Sequence, residues 1–216
     1  MSDADQALNS ETWRQSREPI SRPLWVRLSH WLIAIAVLVM ILSGWAIYNA
    51  SPIFAGWRFP SAATLGGWLG GAIQWHFAAM WIVALCSTVY LVLNLVTLRL
   101  FRQFMPLSPG EFIHDVGAAM RGKLLHDVSG RYNSIQKVAY LSVFLALIVV
   151  ILSGLAIWKS VQLSFLSDLM GGFDTARVVH FFAMAYLVAF FIIHIVMVAL
   201  VPRSLVAMVI SSKKPK

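Results

Sequence analysis

Charged residues and cysteine are both scarce in this sequence. Only 12% of its 216 residues are charged, 59% are hydrophobic, and the mean hydropathy is +0.76. So few charges cannot cover the surface of a water-soluble domain of this length, which excludes a soluble globular protein. The single cysteine, Cys86, excludes an internal disulfide and a cluster of thiolate metal ligands. The composition therefore indicates a membrane protein in which cysteine is only a packing residue.

Long apolar runs are abundant, and four of them are long enough for an α-helix to cross a bilayer, which takes roughly 20 residues. The runs cover about residues 25–48, 73–98, 136–158 and 177–201. They predict an all-α integral membrane protein, a bundle of four transmembrane helices forming one domain over residues 23–202. A polar arm (1–22) precedes this domain and a basic tail (203–216) follows it. The arm lacks the apolar core of a signal peptide, so we expect it to stay in the cytoplasm.

The basic residues are distributed unevenly between the two sides of these helices. The N-terminal segment, the middle loop and the tail, with their flanks, hold 14 of the 17 Lys and Arg residues. The positive-inside rule then places both termini and the middle loop in the cytoplasm. The predicted location is the inner membrane of a bacterium, and nucleic acid is not a predicted partner. Within the middle loop, Ser108, Pro109 and Glu111 predict the start of a short helix on the inner membrane surface.

An internal repeat relates the two halves of the chain. ILSGWAIY at residues 41–48 returns as ILSGLAIW at 151–158, and HFAAM at 76–80 returns as HFFAM at 180–184. Helix three therefore echoes helix one, and helix four echoes helix two. The repeat predicts two related helix pairs.

Four of the six histidines lie within apolar runs, where a polar ring is costly and usually functional: His30, His76, His180 and His194. His180 and His194 are 14 residues apart, so both rings lie on one face of helix four, about 21 Å apart along its axis. The predicted topology places His76 beside His180 near the outer surface (the outer pair) and His30 beside His194 near the inner surface (the inner pair). The alternative is that each ring only hydrogen-bonds a neighbouring helix.

Two imidazoles from facing helices are the ligand set of a bis-histidine haem. Two histidines are too few for a zinc site, which takes three or four protein ligands. Because both axial positions of the iron would be filled, the predicted chemistry is electron transfer without substrate binding to iron. No Cys-x-x-Cys-His sequence is present, so the predicted cofactors are two non-covalent b haems.

Two glycines and two arginines are the further candidate haem contacts. Gly44 follows His30 by the same 14 residues and Gly154 is its repeat equivalent, so we expect both to let a porphyrin approach the helix backbone. Close packing between helices is the alternative. Arg27 and Arg177 flank the inner and outer pairs, where each is expected to bind haem propionates or to anchor the chain at the membrane interface.

A family resemblance is carried by residues at helix starts and ends and by the histidines. These residues are Arg22, Pro23, Arg27, His30, Trp31, Ser43, Gly44, His180 and His194, with the run Gly130, Arg131, Tyr132, Asn133, Gln136 and Lys137. Over about residues 20–202 the chain resembles the bacterial di-haem cytochrome b family, which includes b561-type proteins and the cytochrome b subunits of nickel-iron hydrogenase, formate dehydrogenase and thiosulfate reductase. The resemblance implies exchange of electrons with quinone and a periplasmic molybdenum, iron-sulfur or hydrogenase-type redox partner.

The resemblance also implies a quinone site at the start of helix three. In the formate dehydrogenase relative, the matching asparagine and the inner haem ligand border the menaquinone pocket, which carries this role to Asn133 and His194. Tyr132 and Gln136 lie beside Asn133 and are able to hydrogen-bond a quinone carbonyl. The alternative is an ordinary helix start, in which Asn133 or Ser134 caps exposed amides.

Three functions follow from these observations. The leading hypothesis is the membrane-anchor subunit of a respiratory oxidoreductase, which moves electrons between quinone and a periplasmic redox partner and is not a complete enzyme. The second is a free-standing b561-type cytochrome that oxidises a diffusible donor such as superoxide and reduces quinone. The third is a transporter whose intramembrane histidines relay protons or bind metal.

Overall fold

A computed structural model describes residues 24–96, 109–120 and 134–200, together with Leu205, Met208 and Val209 of the tail. In these residues all regular secondary structure is helical. The elements in chain order are α1 (Leu24–Ala50), a 3-10 turn (Ser61–Ala63), α2 (Leu69–Val96), α3 (Pro109–Met120), α4 (Ser134–Trp158), α5 (Ser164–Leu169) and α6 (Phe173–Leu200). The prediction of an all-helical fold is confirmed.

Four helices are long and apolar enough to cross a membrane. They are Leu24–Ala50, Leu69–Val89 within α2, Ser134–Trp158 and Phe173–Leu200. Most of their apolar side chains point outward, and at most 22% of the most apolar stretch of any of them is buried within the protein. Outward-facing apolar surface on this scale is solvated by lipid rather than water. The chain is therefore a multi-pass membrane protein with the four predicted helices.

Helices α2 and α6 begin about four residues before the apolar runs. At the start of α2, a Cβ on Gly71 would lie 2.3 Å from the carbonyl oxygen of Gly66, so glycine is what lets the preceding loop touch the first turn. Before α6, Gly171 and Gly172 have φ values of +85° and +97°, a left-handed conformation that glycine adopts without strain. Glycines therefore shape the chain where it enters both helices.

The long helices pack as two hairpins. The α1 helix lies against α2, and α4 lies against α6, which matches the two related pairs of the internal repeat. Ser43 of α1 and Ser153 of α4 occupy equivalent positions in the repeat, and both are 0% exposed. Small buried residues let membrane helices approach closely. The two serines therefore mark where each hairpin is tightest.

A cluster of aromatic rings joins the two hairpins at the end where α1 finishes. This aromatic cap consists of Tyr48, Phe54, Trp57, Phe59 and Phe181. The ring centroid of Tyr48 lies 5.2 Å from that of Phe181 on α6 and 5.4 Å from that of Phe59. The cap thus links α1 and the loop between α1 and α2 (residues 51–68) to α6.

Asn49 holds the loop between α1 and α2 (residues 51–68) to the end of α1. Asn49 donates from Nδ2 to the carbonyl of Phe59 at 2.8 Å, and its Oδ1 accepts from the Phe59 amide at 2.9 Å. These paired bonds satisfy both main-chain groups of a loop residue. The loop therefore has a definite position over the end of the bundle.

The predicted interfacial helix is present as α3, and it contacts the start of α4. Asp115 Oδ2 accepts a hydrogen bond from the amide of Ser134 at 3.0 Å. This amide belongs to the first turn of α4, where an acceptor is needed and a negative charge is favourable. A side chain of α3 therefore supplies a cap to α4.

We expect Asp115→Ala to destabilise the protein by about 1 kcal/mol, because it removes this cap. Asp115→Asn retains an acceptor oxygen and should lose less. Denaturant unfolding of the protein in detergent, followed by circular dichroism, measures both effects. Asp168→Ala on α5 is the matched control, since Asp168 is exposed. Equal stability of Asp115→Ala and wild type would show that the α3 contact contributes nothing.

Candidate functional site

The structure brings together both histidine pairs that the spacing predicts. The rings of His76 on α2 and His180 on α6 have centroids 6.5 Å apart, with their planes at 64°. The rings of His30 on α1 and His194 on α6 have centroids 6.3 Å apart, with their planes at 66°. Each pair therefore has one ring from each hairpin, facing its partner across the bundle.

In the outer pair, the ring of His76 is held by the neighbouring helix α1. Its Nδ1 lies 3.2 Å from the carbonyl oxygen of Met40 and 3.2 Å from the hydroxyl oxygen of Ser43. Because a carbonyl only accepts, Nδ1 carries the proton in this arrangement. The lone pair of the ring is then on Nε2, the nitrogen available to a metal.

The second ring of the outer pair is held in the same way by α4. Nδ1 of His180 lies 3.0 Å from the carbonyl oxygen of Val150 and 3.1 Å from the hydroxyl oxygen of Ser153. Both rings of the pair therefore have the same tautomer. Sequence reasoning overlooked this role of the serines, although their place in the repeated I-L-S-G motif was the available signal.

The glycine after each serine lies against the histidine ring. A Cβ added at Gly44 would lie 3.6 Å from Cε1 of His76, and one at Gly154 would lie 3.2 Å from Cε1 of His180. The imidazole ring is thus the neighbour that the structure assigns to each glycine. Contact of the same glycines with a porphyrin stays a prediction.

The inner pair has a different environment. The ring of His30 meets Trp31 edge-on at 5.7 Å between centroids, and His194 stacks on Phe190 at 6.2 Å. Within the described residues, the nitrogens of these two histidines have no hydrogen-bond partner comparable to those of the outer pair. The inner rings are held by aromatic packing, the outer rings by hydrogen bonds.

The donor set and spacing fit a bis-histidine haem at each pair. Two imidazoles bound on opposite sides of one metal, with bonds of about 2 Å, have ring centroids about 6 Å apart. Both pairs meet this separation. Among the described residues, His, Cys, Asp and Glu form no group of three or more able to hold a metal ion.

Comparison with known protein families identifies the family of this chain. The family model of prokaryotic cytochrome b561 matches residues 21–210. The chain belongs to this family. It is therefore a b561-type cytochrome b that transfers electrons in a membrane, and proteins of this family bind haem b. The predicted family is confirmed.

A curated relative gives a more specific similarity. The chain is 50% identical over 187 residues, 87% of its length and 94% of the relative's, to a protein of Azospira oryzae named "Putative protein-methionine-sulfoxide reductase subunit YedZ1". No solved structure matches this b561-type cytochrome.

The two arginines predicted to bind haem propionates donate hydrogen bonds to main-chain carbonyls. Arg27 donates from Nε to the carbonyl of Met208 at 3.0 Å and from Nη2 to that of Val209, which ties α1 to the tail. Arg177 donates to the carbonyl of Ser51 and lies 3.7 Å from Asp174. These contacts show what holds both arginines at the two ends of the bundle. Their pairing with propionates stays a prediction.

Of the three candidate quinone residues, two lie outside the described residues. These are Tyr132 and Asn133. Gln136 lies in the first turn of α4 and is exposed. The structure therefore leaves the quinone site as a sequence-based prediction.

The haem-ligand assignment predicts which histidine serves which haem. We expect about two b haems per chain in the wild type. His76→Ala and His180→Ala should each remove the outer haem, and His30→Ala and His194→Ala the inner one, because each iron would lose an axial ligand. Pyridine haemochrome analysis against protein concentration measures the ratio. His114→Ala, which changes a side chain that is 83% exposed on α3, is the control. A haem-free wild type, or loss of the same haem from His30→Ala and His180→Ala alone, would contradict the assignment.

The glycine distances predict unequal effects of one substitution. Gly154→Ala places a Cβ at 3.2 Å from the His180 ring and should weaken outer-haem retention, because the ring has to shift. Gly44→Ala places it at 3.6 Å, an ordinary contact, and should be tolerated. Haem loss during heating, followed by Soret absorbance, measures the difference. Equal loss from both variants would instead support direct contact of both glycines with the porphyrin.

Proposed function

We propose that this cytochrome is the membrane subunit of a two-component system that reduces methionine sulfoxide in proteins outside the cytoplasm. In this function it carries electrons from quinol at the inner pair to a redox partner protein at the outer pair. The observation that supports this electron path most directly is that the two histidine pairs lie at opposite ends of the spanning helices, with ring separations of 6.3 and 6.5 Å.

The proposed electron path runs along α6, which contributes one ring to each pair. His180 and His194 are separated by 14 residues, about 21 Å along the axis. That distance spans most of the roughly 30 Å hydrocarbon layer. Two carriers placed this way bring each electron close to both membrane surfaces.

Haem, when bound, supplies one-electron transfer without a vacant coordination position for substrate. The protein's own residues do the rest. His76 and His180 present Nε2 toward the centre of the outer site, since their Nδ1 protons are engaged by Met40 and Val150. The aromatic cap includes Phe181, next to His180 in sequence and 9% exposed, so a buried apolar ring lies beside this site.

The proposed reaction is balanced in electrons and protons. Oxidation of one quinol to quinone releases two electrons and two protons. Reduction of one methionine sulfoxide takes up two electrons and two protons, and it forms the thioether and one water. The cytochrome passes the electrons singly, and the protons are exchanged at the quinone and at the partner.

The proposal of a partner rests on similarity. The Azospira oryzae relative is named as a reductase subunit, and it is 50% identical to this chain. The similarity supports a partnered cytochrome over the free-standing superoxide-oxidising alternative. The predicted topology, with cytoplasmic termini, places the partner on the periplasmic side and quinone near Asn133, Tyr132 and Gln136 at the inner side. A molybdenum-type centre in the partner remains one of the alternatives that the family resemblance implies.

The complex isolated from its native host tests this function. With quinol as donor and an oxidised protein as acceptor, we expect sulfoxide reduction, followed by mass spectrometry of the methionines. His76→Ala should lower this rate to background because the outer carrier is lost, while quinol still reduces the inner haem, as seen in visible spectra.

His114→Ala is again the control and should retain the wild-type rate. A cytochrome that purifies without a partner and is reduced by superoxide would contradict the proposal and favour the free-standing alternative. Active sulfoxide reduction in His76→Ala would show that electrons bypass the outer pair.

A further inference from the structure

We propose that Ser43 and Ser153 are positioning residues that lower the redox potential of the outer haem through the histidine rings. This inference rests on the proposed haem site at His76 and His180 and adds a specific role for each serine hydroxyl. The two serines act as hydrogen-bond acceptors for the Nδ1 protons and do not touch the metal themselves.

The direction of each hydrogen bond follows from the hydroxyl geometry. Ser43 Oγ lies 2.6 Å from the carbonyl oxygen of Val39, and Ser153 Oγ lies 2.7 Å from that of Val149. A carbonyl only accepts, so each hydroxyl uses its single proton on its own helix. Toward the imidazole, 3.2 and 3.1 Å away, the serine oxygen is therefore an acceptor.

The serine adds to an acceptor that is already in use. The carbonyl beside the His76 ring is that of Met40, four residues before Gly44, so in an α-helix it also accepts the Gly44 amide. The Val150 carbonyl has the same relation to Gly154. Because each carbonyl is shared, the serine oxygen gives the Nδ1 proton a second acceptor.

Burial strengthens these bonds. Ser43 and Ser153 are both 0% exposed, so water does not compete for the hydroxyls. A hydrogen bond in such a low-dielectric environment is electrostatically stronger than one at a surface. The arrangement occurs twice with nearly the same distances, once in each half of the repeat, so both ligands of one metal experience it.

The sign of the effect follows from charge. An acceptor at Nδ1–H makes Nε2 a stronger electron donor. Oxidised iron, which carries one more positive charge, gains more from that donation than reduced iron. The serines therefore stabilise the oxidised state of the outer site and lower its potential. Within the described part of the chain, His30 and His194 have aromatic neighbours in place of such acceptors, so the two sites are tuned unequally.

Redox titration of the purified cytochrome tests the inference, with the outer haem identified as the one missing in His76→Ala. At the wild-type midpoint of this haem, we expect Ser43→Ala and Ser153→Ala each to raise the reduced-to-oxidised ratio by about twofold to fivefold. The double variant should show about the product of the two ratios; each tenfold change in ratio corresponds to 59 mV for one electron. The inner haem should not change.

Ser29→Ala is the matched control. Ser29 lies on the same helix as Ser43 and beside His30 in sequence, but among the described residues its hydroxyl bonds the carbonyl of Val26, at 3.1 Å, and no histidine ring. It should leave both potentials at their wild-type values. Loss of the outer haem alone from Ser43→Ala, with the inner haem and folding retained, also supports positioning. If Ser43→Ala fails to fold, Ser153→Ala decides.

The results that would overturn the role of the serines differ from the result that would overturn the haem sites. Two haems with an unchanged outer potential in both serine variants would overturn the role of the serines and leave the haem sites intact. A shift of the inner haem, or a lower outer potential, would also overturn it. A wild type without haem would instead overturn the proposed function on which the inference rests.

Discussion

A histidine ring inside an apolar helix bundle has two nitrogens to satisfy and no water to satisfy them. At the outer pair, main-chain carbonyls of Met40 and Val150 engage Nδ1, which leaves each Nε2 facing the centre of the bundle. Nε2 is then the nitrogen of each ring that is available to a metal. In the proposed haem site, one iron would engage the Nε2 atoms of both rings.

The internal repeat explains how one chain builds a two-sided site. Each hairpin carries a histidine on one helix and the Ser-Gly pair beside it on the other, so each ring is held by contacts within its own hairpin. The hairpins then face each other through their rings and through the aromatic cap. Ser43 and Ser153 are buried in the interior of the two hairpins, while Tyr48 and Phe181 pack against each other between the hairpins. A flat cofactor between the hairpins is compatible with this division.

The two ends of the bundle differ in how they are held together. At one end, Arg27 and Trp31 donate to the carbonyl of Met208, which joins α1 to the tail. At the other end, Asn49 and the aromatic cap hold the loop between α1 and α2 in place. The histidines differ in parallel, since only the outer pair has hydrogen-bonded Nδ1 atoms in the described structure. Two haem sites in such different environments would have different potentials.

Composition and spacing were enough to predict the four membrane helices, the two related pairs and which histidines meet, and the resemblance of the motifs predicted the family. These properties depend on run length and on positions along a single helix, and both are visible in the sequence. The serine acceptors, the ring beside each glycine, the carbonyl partners of Arg27 and Arg177, and the cap that Asp115 provides were not predicted. Each depends on how one helix is rotated and shifted against another, or on where a loop returns. Periodicity within a helix does not determine that placement, so only the tertiary structure decided which atoms hold the imidazole rings.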